Sequence, residues 1–120
     1  MGGRVAYLMA AANPLLQGAA LFYSSDTLES WGNTLSPFDR TPDIHCPVIG
    51  FFGEEDRHPS PDEIRSLDAE LTKYDKLHQF HFYPGVGHAF QWNGTERYHE
   101  WAARDSWDKM LAWFQKYLCD

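Results

Sequence analysis

The sequence predicts an α/β fold, a three-stranded parallel sheet flanked by helices. Three observations carry that prediction. "GAALFYS", "PVIGFFG" and "HQFHFYP" are short runs dominated by apolar and aromatic residues, the pattern of strands covered on both faces. Helical periodicity precedes the first run, separates the last two and follows the third, which favours parallel pairing. Turn and cap residues punctuate each change of pattern.

The elements follow in order. Val5, Leu8, Met9 and Ala12 fall at helical spacing, so residues 2–12 read as a helix that "NP" at Asn13-Pro14 stops. Residues 18–24 form the first strand. Residues 25–44, rich in Ser, Thr, Asp, Gly and Pro, read as a long loop. Residues 47–53 form the second strand, and the polar "EEDRHPSP" follows it. Ser60 then stands as an N-cap, with Pro61 at the first helical position and Asp62 and Glu63 in the first turn. Ile64, Leu67 and Leu71 carry that helix to about Tyr74. Residues 78–84 form the third strand, and "GVGHAF" is a glycine-flanked loop. The last helix is expected from near Glu96 to Leu118, with Trp107, Met110, Leu111, Phe114 and Leu118 as its buried stripe.

The 120 residues support one domain, spanning 1–120. Apolar residues at 43% and aromatics at 16% suffice for a core. A net charge of −7 disfavours nucleic acid and anionic membrane surfaces as partners. Cys46 and Cys119 are far apart in the chain, without metal-site spacing, and are expected as reduced thiols in a cytoplasmic protein. No apolar run approaches the ~20 residues of a bilayer span, and no membrane partner is expected. The "NGT" at Asn93 matches a glycosylation sequon, a weak pattern by itself.

Open α/β sheets gather their chemistry at the carboxyl ends of strands. Asp56 and His88 each stand just past such an end. An acid after one strand and a histidine after the next make the acid and base of a hydrolase triad. With "MGGRVAYLMAA", "CPVIGFFGEEDRHPSPDEI" and "FHFYPGVGHAFQW" in this order, the chain resembles the C-terminal half of a dienelactone hydrolase-family protein, within the α/β-hydrolase fold. "PGVGHAF" is the most specific of these pieces.

The resemblance implies that Asp56 is the triad acid and His88 the triad base. The family's nucleophile elbow reads Gly-x-Cys-x-Gly-Gly. Aligned on "GGRVAYLMAA", the cysteine falls one position before Met1, so the nucleophile and the strand leading to it are expected to be absent. The Met1 backbone N–H falls where the family has an oxyanion-hole donor. Family members that bind a carboxylate-bearing lactone carry an arginine four residues after the histidine. Trp92 stands there instead, which suits an apolar or aromatic substrate group.

Other side chains read as structural. Cys46 precedes a strand, at the end opposite Asp56 and His88. Ser24 and Ser25 lie at the correct end but lack a strained elbow. Cys119 is the penultimate residue of a terminal helix. His45, His58, His78, His81 and His99 show no ligand spacing, and His78 and His81, three apart in a strand, point to opposite faces. No metal and no cofactor are expected. Trp31 and Trp92 fall in loops, and Glu54-Glu55 in a solvated turn.

The functional expectation is ester or lactone (acyl) hydrolase ancestry with little activity from this chain alone. The alternative is a non-catalytic dimeric module that binds a small molecule or a protein; a third possibility is a piece of a longer hydrolase. Without its family neighbour, the strand at 17–24 exposes an unpaired apolar edge. The expected remedy is a homodimer in which two such strands pair antiparallel into one six-stranded sheet.

Overall fold

The computed structural model describes residues 2–91 and 98–118. Its elements are α1 (Gly2–Ala12), β1 (Ala19–Phe22), β2 (Val48–Gly53), α2 (Pro61–Lys73), β3 (His78–Tyr83) and α3 (Glu100–Leu118), with a short 3-10 helix over Phe38–Asp43. That 3-10 helix lies inside the stretch expected as loop. The strands are parallel in the order β1-β2-β3. Ala19 pairs with Val48 and Val48 with His78 at the amino end, and Gly53 with Tyr83 at the carboxyl end.

The central β2 is buried at every position. Val48 and Phe52 join Tyr7, Ala10 and Leu21, and Ile64, Leu67 and Leu71, in a core under α1 and α2. Ile49 and Phe51 join Tyr83, Phe90, Ala102 and Trp113 in a second core under α3. The alternation of strand side chains thus divides the helices between two faces.

Local chemistry sets the ends of α2. The Ser60 Oγ accepts from the Glu63 N–H at 3.3 Å, Pro61 opens the helix and two acids follow. At its other end Asp75 adopts a left-handed φ of 56°. The Lys76 N–H then reaches the Leu71 carbonyl at 2.8 Å, a helix-terminating turn.

The structure decides which face of α1 is covered and corrects the stripe expected in α3. In α1 the buried side is Gly3, Arg4, Tyr7, Ala10 and Ala11, whereas Val5, Met9 and Ala12 face outward. Gly3 explains this choice: a Cβ there would collide with Ser24, so the helix lies too close to the end of β1 for a larger residue. Gly2 has open space around it. In α3 the buried residues are Ala102, Ala103, Ser106 and Trp113, with Met110 and Phe114 half-buried. Trp107, Leu111 and Leu118 are exposed. Periodicity marks an apolar stripe but not which part of it the sheet covers. The start expected near Glu96 lies outside the described residues, and α3 begins at Glu100. Among the described residues no helix is long and apolar enough to cross a membrane.

Gly53 ends β2 against the loop after β3. A Cβ there would collide with the Val86 carbonyl oxygen. Gly53→Ala is therefore expected to force the two segments apart and cost about 1–3 kcal/mol of stability, measurable by urea denaturation. The same substitution should weaken the contact between Asp56 and His88, visible as a changed His88 ring spectrum.

Candidate active site

The site begins where β2 and β3 end. The Glu54 N–H donates to the Tyr83 carbonyl at 2.9 Å and the Glu55 N–H to the Val86 carbonyl at 2.9 Å. These bonds lace the turn after β2 to the loop after β3. The Asp56 N–H closes its own turn on the Gly53 carbonyl at 3.2 Å. Beyond β3, Gly85 takes a φ of 70°, and Ala89, a non-glycine, takes 57°. The loop turns at these two residues, with His88 between them.

Asp56 is 5% exposed, which is tolerable for a carboxylate only with partners. It has two. Oδ1 accepts from the His58 backbone N–H at 2.8 Å, and Oδ2 meets Nδ1 of His88 at 2.8 Å. The His88 side chain is 37% exposed. An ionised Asp56 accepts from Nδ1–H, which leaves Nε2 as the proton acceptor. Ser25, Glu55, Arg57 and His58 line a cleft of about 410 Å³ together with this pair. A partly exposed imidazole oriented by a buried acid can draw a proton from a nucleophile or a water.

The other sequence candidates separate from this pair. Cys46 is buried at the amino end of β2, beside a different cleft that includes His45, Asp75 and Lys76; burial pushes its thiol up. Ser24 is fully buried against Gly3, and its hydroxyl has no partner among the described residues. Ser25 lines the cleft. His78 and His81 do face opposite sides of the sheet: His78 bonds Asp68 at 2.6 Å, whereas His81 stacks on Phe51. The His99 Nδ1 accepts from the Ala102 N–H at 3.3 Å in the first turn of α3. No cluster of potential metal ligands occurs among the described residues. Met1, Trp92 and Cys119 lie outside the described residues.

Three residues near the site carry roles that the sequence did not disclose. Arg4 is buried; its Nη1 donates to the Asp26 and Glu29 carbonyls, and its guanidinium lies 3.8 Å from the centre of the Trp31 ring. It ties the loop after β1 to α1. Glu63 is pushed above the ordinary carboxylate range by burial and by the charges of Asp26 and Glu29, with a smaller push from Asp56. Tyr23, one residue past β1, lies against His88. A buried arginine and a left-handed tyrosine follow no periodic pattern, so no sequence signal exposes them.

The family model of the dienelactone hydrolase family matches residues 1–118. The chain belongs to the dienelactone hydrolase family. A Salmonella typhimurium protein described as a candidate carboxymethylenebutenolidase is 34% identical over 119 residues, covering 97% of this chain and 43% of its own length. One from Escherichia coli K12, described the same way, is 32% identical over 117 residues with the same coverages. The crystal structure of a candidate dienelactone hydrolase from Klebsiella pneumoniae superposes with a TM-score of 0.88 at 33% identity, over 96% of this chain and 48% of that one. A dienelactone hydrolase-like promiscuous phosphotriesterase from metagenomic libraries shares the fold at 16% identity and a TM-score of 0.78. The chain thus spans less than half the length of the family relatives it matches.

A carboxyl raised as Glu63 is opposes folding once ionised, so its penalty fades as pH falls through its folded-state pKa. Glu63→Gln should raise the melting temperature at about pH 7. The gain should shrink as acid protonates the wild-type carboxyl. Thermal melts of both chains across the acid range check the sign.

Proposed function

We propose that this chain supplies the acid–base half of a dienelactone hydrolase-like enzyme acting on ester or lactone carbonyls. The observation that carries the reading is the 2.8 Å contact between Asp56 Oδ2 and His88 Nδ1 at adjacent strand ends. His88 takes the proton of the attacking group through Nε2, and Asp56 stabilises the imidazolium that results. His88 then returns the proton to the leaving oxygen. The attacking thiol, and the oxyanion donor aligned with Met1, belong to the elbow that precedes α1 in the family pattern. Without that thiol the pair can activate only water, and the covalent route is lost. Trp92, standing in place of the carboxylate-binding arginine, favours a substrate with an apolar or aromatic substituent.

The same reading assigns the assembly. Among the described residues β1 pairs with β2 alone, and Val5, Met9, Trp107, Leu111 and Leu118 leave apolar surface on the outer helix faces. By itself the chain forms a homodimer in which the free β1 edges pair antiparallel. When a nucleophile-bearing half is present, that half takes the edge instead.

Two measurements test this. Light scattering of the chain alone should give twice the monomer mass at micromolar concentration, and adding the nucleophile-bearing half of a relative should convert it to a one-to-one complex. A stable monomer excludes the β1 pairing. With a p-nitrophenyl ester, that complex should hydrolyse substrate, and His88→Ala should lower its kcat by about three orders of magnitude. Equal rates for wild type and His88→Ala would favour the non-catalytic binding module.

A further inference from the structure

We propose that Tyr23 is a positioning residue for His88, holding the imidazole at the tilt in which Nδ1 meets Asp56 and Nε2 stays free for proton transfer. The proposal rests on the reading of His88 as the proton carrier, but its first test does not require hydrolysis.

The Asp56 contact alone constrains the ring incompletely. One hydrogen bond fixes where Nδ1 lies and leaves the ring free to tilt about that contact. A second contact on the ring removes the freedom. The Tyr23 ring supplies it, with centroids 5.0 Å apart and planes inclined at 57°. The same tyrosine meets Phe90 edge-on at 5.2 Å and 80°. Phe90 is fully buried and packs in turn on Tyr83, at 5.5 Å. Tyr23 therefore touches both residues that flank the left-handed Ala89 and couples the histidine loop to the core under α3.

The backbone shows how Tyr23 reaches this place. Its N–H donates to the Phe51 carbonyl at 2.9 Å, extending the β1–β2 pairing one residue past β1. The chain then turns through a φ of 40°, a conformation that costs free energy for a residue with a Cβ. A continued strand would carry the side chain of residue 23 along the sheet instead. Burial raises the Tyr23 hydroxyl above its ordinary value, opposed by a backbone hydrogen bond from Gln91. The hydroxyl is thus held just past Phe90, at the carboxyl end of the histidine loop.

The test compares Tyr23→Phe, which keeps the ring, with Tyr23→Met, which keeps apolar bulk without it. Proton NMR of the 120-residue chain reads the His88 Nδ1–H signal and its exchange with solvent. Wild type and Tyr23→Phe should exchange alike. Tyr23→Met should exchange about two- to tenfold faster, the span an aromatic pair is worth. Wild-type exchange in a folded Tyr23→Met chain overturns the proposal. If Tyr23→Met does not fold, ring relaxation in wild type decides: His88 should be as ordered as Phe90, and mobility equal to that of the exposed His45 overturns it. In the completed enzyme, Tyr23→Met should lower kcat about tenfold with KM little changed, as expected for a misplaced catalytic group. An inactive complex with slow wild-type Nδ1–H exchange would sink the hydrolase reading and leave the brace intact.

Discussion

The site depends on how closely two chain segments approach at Gly53. The loop after β3 occupies the space a side chain would fill there, with the Val86 carbonyl against the Gly53 α-carbon. That closeness lets the Glu55 N–H reach Val86 and brings a carboxylate and an imidazole, 32 residues apart in sequence, to 2.8 Å. A polar contact of this kind is worth little in open water. It gains weight here because Asp56 is buried and both its oxygens are engaged.

The layers explain why the approach is rigid. β2 is covered on both sides, so neither face can slide without opening a core. Its parallel partners set the ends of β2 and β3 level, from Val48 opposite His78 to Gly53 opposite Tyr83. The acid and the base leave the sheet at one height. On the other side of β2, Gly3 admits α1 against Ser24. Arg4 then holds the Asp26 and Glu29 carbonyls, which orders a loop that composition alone would leave open. The cleft is bounded by elements tied to both flanks of the central strand.

Much of this was legible from particular residues. The apolar runs marked three strands because a strand covered on both faces must be apolar at successive positions. Ser60-Pro61-Asp62-Glu63 marked the start of α2 because each residue satisfies a local need of a helix end. Asp56 and His88 stood out because strand ends in such sheets converge. The faces of α1 and α3 were less legible. Val5 and Met9 fit a helical stripe as well as Tyr7 does, yet they point outward. Gly3 and Ala10 in α1 and Ala102 and Ala103 in α3 are buried beside the larger Arg4, Tyr7 and Trp113, and at Gly3 the helix lies too close to Ser24 for a Cβ.

From the sequence alone came the element order, the parallel sheet, the family and the pairing of Asp56 with His88 at adjacent strand ends. All of these follow from local patterning or from short motifs. Tertiary structure alone decided which helix faces are covered, that Tyr23 leaves β1 in a left-handed turn to meet His88, and that Glu63 is half-buried among like charges. These depend on contacts between residues distant in the chain. Such contacts are set by the volume and position of neighbours on other elements, and periodicity within one element carries no record of them.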